Sequence, residues 1–495
     1  MRLLQRYWGL LLVLLLSVFA ILPLFTPGFF PMHDDTQVAR VFEMGKMLRV
    51  GMFPVRWVPD LGYGYGYPIF NFYGPLAYYV GGLFVVLGFD ALIATKIMMI
   101  TGILFAGVTM YFLAKEFWGE AGGVLSGAFY MYAPYHALDI YVRGDVGEFW
   151  AYAFIPLAFL GLYKVYKNNS WKWTMVGAIG YAGVIVSHNL TAMMVTPFLL
   201  AFFVILVAFS KKKLQSAHFL AHIFFLGLIL SAFYWLPALS EMSKTNVLSQ
   251  VGGGANFRDH FVCVQQLWDS PWGFGGSAPG CVNDGLSFRI GKQHIIFALV
   301  SVILAAFWFG KNKKNKKSLL PFVFSITGAI VAVLFTLEYS KPVWEMISTM
   351  AFFQYPWRFL LMVVFFLSFA IGGVAFYIKA FIREEKYILA VCLGVIIALI
   401  SINLKLFAPK TIDNKTASDY ISSYQLKWVT SKISDEYLPK NFKKPKDASA
   451  VFAGSPSAPS QTSIEIISNW ASIAGIFILI LGIIRTTALH EKIKR

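Results

Sequence analysis

PLAYYVGGLFVVLGF, residues 75–89, decides how this chain is threaded through a membrane. The stretch is apolar, but at about 15 residues it is short for a crossing that takes about 20. Gly81 and Gly82 lie in its middle. If it crosses, every later loop changes side, and the runs KKK (211–213) and KNKKNKK (311–317) fall outside. If it lies in the interface, both fall inside, as do KEFWGE (115–120), KNNSWK (167–172), KAFIREEK (379–386) and the terminal RTTALHEKIKR. Lys and Arg are retained on cytoplasmic loops. The stretch is therefore expected to form an interfacial or re-entrant helix that does not span.

Composition places the rest of the chain in the same setting. Of 495 residues, 58% are hydrophobic and 14% charged, against about 25% charged in a soluble domain. Apolar runs of about 18 residues recur along the chain. The expected fold is an all-α polytopic membrane protein with about twelve spans. They lie near 8–26, 91–114, 121–137, 149–166, 173–188, 191–210, 217–238, 293–310, 318–338, 357–379, 387–405 and 468–485. Both termini are then cytoplasmic, in a plasma or cytoplasmic membrane. The first run, after two arginines, reads as a retained signal anchor. The net charge of +17 follows from Lys and Arg on cytoplasmic loops, not from nucleic-acid binding. Residues 1–405 form one transmembrane domain, with outside loops at 27–90, 138–148, 239–292 and 339–356. A long outside loop, 406–467, carries AGSPSAPSQTS and KNFKKPK and reads as mobile; 468–495 is the last span with a basic tail.

The outside loops hold the chemistry. The first opens with His33, Asp34 and Asp35, then TQVARVFEMGKMLRVG, whose apolar residues recur at helical spacing, as in a helix lying in the membrane plane. An acid before a helix can cap it, but one cap needs one acid, and two stand here. GYGYGYPIFNFYGP follows, an aromatic-glycine run suited to the headgroup level, to stacking on a sugar or to lining a lipid-chain groove. Arg56 lies between. The second loop, HALDIYVRGDVGEFW, packs His136, Asp139, Arg143, Asp145 and Glu148 next to the bilayer. Acids there are costly unless solvated, paired or metal-bound, and Arg143 with Asp145 is one candidate pair. His188 in SHNLTA lies on the same side, either as a satisfied interfacial residue or as part of the site. Arg358 in YPWRFL opens a later span, where a guanidinium either snorkels or grips a lipid phosphate. Cys263 and Cys281 share one outside loop and are expected to pair. No Walker loop, nucleotide fingerprint, zinc spacing or Gly-x-Ser-x-Gly is present. An energy-rich donor would therefore arrive from the membrane or the outside.

A cytoplasmic start, one span, and an outside loop with an acidic pair and an in-plane helix: this arrangement resembles the GT-C membrane glycosyltransferases. More narrowly, HDDTQVARVFE, PVRWVPDLGYGYGYPIFNFYGPLAYY, YVRGDVGEFWAYAFIPLAFL, SHNLTAM, QLWDSPWGFGGS and FQYPWRFL resemble the membrane family labelled "6-pyruvoyl-tetrahydropterin synthase-related". The sequence offers no three-His zinc site for pterin chemistry. The resemblance implies transfer of a sugar from a polyprenyl-phosphate or polyprenyl-diphosphate carrier to an acceptor on the extracytoplasmic face. It puts Asp34 as base or metal ligand, with Asp35 in the second acidic position. Asp145 and Glu148 stand where second-loop acids occur, and Arg358 where a basic residue holds the carrier phosphate. His33, Arg56, Arg143 and His188 are further candidates for the substrate or its phosphate. Mg²⁺ or Mn²⁺ on Asp34 and Asp145 is the cofactor compatible with such acids. The partners implied are the lipid-linked donor, membrane lipids and an unspecified acceptor. The alternatives are a flippase for lipid-linked saccharides and a non-catalytic envelope-assembly protein. A flippase would want ionisable residues at mid-membrane depth, and the spans here are nearly free of charge.

Overall fold

The computed structural model describes residues 2–247, 255–282, 284–311 and 319–494. Most of KNKKNKK lies outside them. The described residues are mainly helical; isolated bridges (Val58–Tyr67, Thr245–Pro439, Val262–Leu337) are the β-type pairing found among them. It divides into two compact units, one of 1–33, 100–144 and 251–412, the other of 34–99, 145–250 and 413–495.

Among the described residues, ten helices are long and apolar enough to cross a membrane. The described parts of the twelve stretches expected to span are largely helical, with interruptions such as those at 132–133 and Ser231. The runs at 91–114 and 121–137 merge into Ala91–Met131, with a break at Gly119, whose φ is +75°. A side chain is strained in that conformation, so glycine marks the break. The run at 173–188 becomes Trp171–Ser187, 17 residues long. The stretch at 75–89 forms only the 11-residue helix Leu76–Val86, about 16 Å at 1.5 Å per residue, roughly half the hydrocarbon thickness.

Its two glycines have a packing reason. A Cβ on Gly81 would lie 2.8 Å from Val41 Cγ2, and one on Gly82 would lie 2.6 Å from Met44 Cγ. Small residues there let the helix Gln37–Arg49 lie directly on Leu76–Val86. In the same unit, Val146–Asn168 and Trp171–Ser187 approach through Gly161 and Gly177; a Cβ on Gly161 would fall 2.2 Å from Gly177 Cα. Such small-residue seams bring helices close where hydrophobic burial no longer drives association.

The segment expected to be a mobile outside loop is instead built onto the aromatic-glycine run. Phe452 N–H donates to Tyr63 O (3.0 Å), Tyr63 N–H to Ser431 Oγ (3.1 Å), and Tyr437 stacks on Phe72 with ring centroids 5.3 Å apart. Tyr63, Tyr65 and Phe72 thus spend their rings on the chain's own C-terminal segment.

In the other unit, the carbonyls freed at the end of Ala91–Met131 are taken up by side chains: His294 Nε2 donates to Phe129 O (2.9 Å), His136 Nδ1 to Met131 O (2.9 Å) and Asn403 Nδ2 to Tyr132 O (2.8 Å). Helix ends need such partners when buried. Cys263 and Cys281 form the expected disulfide, with Cα atoms 5.9 Å apart.

Candidate functional site

In the unit that begins at Asp34, the two adjacent acids face different surroundings. The helix Gln37–Arg49 takes Thr36 as its N-cap, with no side-chain capping bond. Asp34 contributes its backbone carbonyl, which accepts from Thr36 N–H (2.7 Å) and Gln37 Nε2 (3.1 Å). Neither acid stands at the cap position. Asp35 is held above the usual carboxylate range by burial; the charge of Lys415 opposes this and that of Asp413 adds to it. It therefore faces the C-terminal segment.

The charge of Asp34 acts elsewhere, on the Tyr73 phenol. That phenol is pushed well above its usual range, first by burial, then by Asp145, Tyr78 and Asp34; Arg40 pulls the other way. The Arg40 guanidinium lies over the Tyr73 ring, 4.5 Å from its centroid. It donates to Tyr78 Oη (3.1 Å) and Ser434 Oγ (2.9 Å), and Tyr78 in turn donates to Gln37 Oε1 (2.6 Å). Asp34 and Asp145 thus share one neighbour, a phenol that keeps its proton.

Asp145 is buried and fixed by its own helix. It is the N-cap of Val146–Asn168, Oδ1 accepting from Glu148 N–H at 3.0 Å. Glu148, in the first turn, is fully buried. Acids suit this end of a helix. His188 caps the next helix but one, Asn189–Phe209: Nδ1 accepts from Thr191 N–H (3.3 Å) and lies 2.8 Å from the Thr191 hydroxyl. In the neutral ring the proton is then on Nε2. A Cβ on Gly147 would lie 3.3 Å from His188 Cδ2 and 3.6 Å from Asp145 Oδ1, so ring and carboxylate flank one glycine. Gly74 is as constrained: a Cβ there would fall 1.8 Å from Ser187 O. That close approach carries Tyr73 to the turn before His188.

Arg56 lies in the same unit among different partners. Its Nη atoms donate to Asn71 Oδ1 (2.9 Å) and Asn469 Oδ1 (2.7 Å), and its Nε is 3.8 Å from Glu465 Oε1.

The remaining candidates belong to the other unit. His33 is exposed, its Nε2 3.1 Å from Phe274 O, where it donates. Arg143 pairs with Asp139, four residues earlier; it also donates to Tyr135 Oη (3.2 Å) and lies over Trp357 at 4.8 Å. The π-helical turn Asp139–Arg143 brings that pair together. Arg358 is buried in the short helix Pro356–Phe359, 5.8 Å from the Tyr355 ring centroid and 5.9 Å from that of Trp357.

Among the described residues, no group of three or more His, Cys, Asp or Glu is gathered for a metal ion. The donors near Tyr73 are two carboxylates. That set suits a hard cation such as Mg²⁺, which takes one or two carboxylates and keeps several waters, and does not suit zinc. Sequence reasoning passed over Tyr73 and Arg40. The signal was Tyr73-Gly74-Pro75, a tyrosine followed by a glycine that only a close backbone approach requires.

Residues 70–251 match the family described as "6-pyruvoyl-tetrahydropterin synthase related domain; membrane protein". The matched stretch contains Tyr73, Arg143, Asp145, Glu148 and His188, and it bears out the resemblance read from the motifs. An uncharacterized protein of Lactococcus lactis subsp. cremoris (strain MG1363) is 24% identical over 244 residues, 47% of this chain and 40% of that protein. Among solved structures, the arabinofuranosyltransferase AftD from Mycobacteria superposes with a TM-score of 0.52 at 11% identity, over 83% of this chain and 28% of that one. The Archaeoglobus fulgidus oligosaccharyltransferase in its apo form gives 0.50 at 12% identity, over 95% of this chain and 64% of that one. The chain thus spans less than two thirds of the length of each. At these identities the likeness is one of fold: the chain has the GT-C-like all-α membrane fold expected of it.

Proposed function

We propose that this protein is a GT-C-type glycosyltransferase that moves a sugar from a polyprenyl-phosphate or polyprenyl-diphosphate carrier to an acceptor hydroxyl on the extracytoplasmic face. The observation that carries the reading is the shared action of Asp34 and Asp145 on the Tyr73 phenol, beside His188, in a fold of this kind. Asp34 takes the acceptor's proton. The acceptor oxygen bonds to the anomeric carbon as the bond from that carbon to the phosphate oxygen breaks, and the carrier leaves with the bonding pair. A positioned base contributes about 10²–10⁴-fold in rate. Tyr73 keeps its proton in the field of both carboxylates. Asp145, held by the helix start, completes the acidic wall; Glu148 supports it from the next turn.

Mg²⁺ or Mn²⁺, when bound, would be held by Asp34 and Asp145 and would supply positive charge for the leaving phosphate. Arg358, in the other unit, is proposed as a ligand for a lipid phosphate on the strength of the resemblance and the chemistry of guanidinium. Arg56 and Arg143 already have carboxylate partners and are assigned no phosphate role. Asp35, turned toward Lys415, is assigned none in the proton transfer. An apolar groove of about 510 Å³, lined by Leu48, Phe53, Leu76, Tyr79, Leu83 and Phe154 among others, has the surface an isoprenoid chain requires.

The test is direct. Purified protein in liposomes is given polyprenyl-phosphate sugars carrying a radiolabel, with hydroxyl acceptors supplied. Label appearing in acceptor, dependent on Asp34, is the expected result. Translocation of the lipid-linked sugar without cleavage would replace this reading with the flippase.

A further inference from the structure

Besides the apolar groove, the unit that contains Asp34 holds a cavity of about 430 Å³ with charged groups in its wall, within the ~300–1,000 Å³ range of small-ligand sites. Arg56, Asn71 and Glu241 line it and are 6%, 3% and 8% exposed. They form one network. Arg56 donates to Asn71 Oδ1 (2.9 Å), Asn71 Nδ2 to Glu241 Oε2 (2.9 Å), and Lys244 Nζ to Glu241 Oε1 (3.3 Å). Glu465 completes it: Oε2 accepts from Thr462 N–H (2.7 Å), while Oε1 stands 3.8 Å from Arg56 Nε. That distance is too long for a hydrogen bond, and Arg56 Nε is buried with no hydrogen-bond partner. A buried donor left unmade is costly, and this one belongs to a residue that lines the cavity.

Two further features narrow the ligand. The charges balance: Arg56 and Lys244 stand against Glu241 and Glu465. A phosphate entering would meet two carboxylates with no spare cation, whereas a neutral polyol finds donors and acceptors side by side. Trp57, Phe72 and Tyr437 add aromatic surface to the lining, which suits the C–H face of a sugar ring. The last wall comes from 458–462, part of the Ser/Pro-rich run that the sequence marks as a loop and that the acidic site does not use.

We propose that this cavity binds a neutral saccharide. Naming that saccharide the acceptor rests on the transferase reading above; the binding site itself does not. Its hydroxyls would hydrogen-bond with the Arg56–Asn71–Glu241 network and with Glu465, and its apolar face would lie on the aromatic wall.

Calorimetry on the full-length protein in nanodiscs tests this with neutral disaccharides of mannose, glucose, galactose, rhamnose and N-acetylglucosamine, and with inorganic phosphate. At least one disaccharide should bind, and phosphate should not compete. Ala458→Trp, at an exposed position on the rim, fills the cavity from outside and should weaken binding at least tenfold. Asp34→Asn should leave the affinity unchanged. Binding that Ala458→Trp abolishes, with no transfer activity, would sustain the cavity and sink the transferase. Transfer without any disaccharide binding, binding indifferent to Ala458→Trp, or phosphate binding in place of sugar would each overturn the cavity assignment.

Discussion

The acidic corner around Tyr73 and the cavity around Arg56 are built from the same residue types and differ in how their charges close. At Arg56, each charge has an opposite within the network, and amides link them. At Tyr73, two carboxylates act on one protonated phenol, and the nearby cation, Arg40, is spent on Tyr78 and Ser434. A balanced network of charges stabilises a shape. Carboxylates gathered around one buried phenol are where proton transfer or a cation is to be expected. Substitution in the corner should therefore cost rate, and substitution in the cavity network should cost stability.

The largest effect belongs to Asp34→Asn. It should lower transfer by about 10²–10⁴-fold while thermal unfolding in detergent stays at the wild-type temperature. A variant that unfolds early instead would make Asp34 structural and erase the contrast. Arg56→Met should do the reverse. It leaves the Glu465 carboxylate without its ion-pair partner, at a cost of about 3–5 kcal/mol, and Glu465→Gln on the same background should restore most of the loss. Arg56→Met that folds normally but loses transfer would move the phosphate site into the cavity.

The disulfide is a control outside both regions. Opening its loop should cost roughly 3 kcal/mol, seen as a lower unfolding temperature in the Cys263→Ser, Cys281→Ser double variant. Maleimide should mark neither cysteine in the unreduced protein. Labelling of both would show that the pair is not formed.

The smallest effect is pH-dependent. Glu43 is fully buried in the Gln37–Arg49 helix, and its carboxyl is pushed well above the usual range by burial first and by Asp60 second. The folded state thus holds this proton more tightly than the unfolded chain. Its contribution is complete below the unfolded value of about 4.3 and is lost as pH rises through the folded one. Glu43→Gln should be near neutral at pH 4 and stabilising at pH 8, read as a difference in unfolding temperature that opens with pH. A constant difference would mean that Glu43 is ionised in the fold.

Much of the architecture was legible because membrane helices declare themselves by length and charge. The short helix at 76–86, the break near Gly119 and the Cys263–Cys281 pair all follow from local sequence. The site was legible only in part. Asp145 and His188 stand out as polar residues at helix starts, but their meeting across Gly147 depends on packing that no spacing encodes. Adjacent Asp34 and Asp35 looked like a pair, yet just ahead of a helix neighbouring side chains turned to different surroundings. In the 406–467 segment the Lys- and Ser/Pro-rich runs are mostly exposed and irregular, while Tyr420, Leu426 and Leu438 outside those runs are buried, which composition alone did not show.

The central claim is that Asp34 and Asp145 work as one unit, and a double-mutant cycle on kcat/KM addresses it. Asn retains the capping ability of Asp at position 145, so Asp145→Asn should fold, as should Asp34→Asn. Residues that act together are grossly non-additive. With each single variant losing at least about a hundredfold, the account predicts that the double variant is within about tenfold of the less active single variant, giving a coupling of at least about 1.4 kcal/mol. Losses that multiply would mean that the two acids act independently, and the shared site described here would be contradicted.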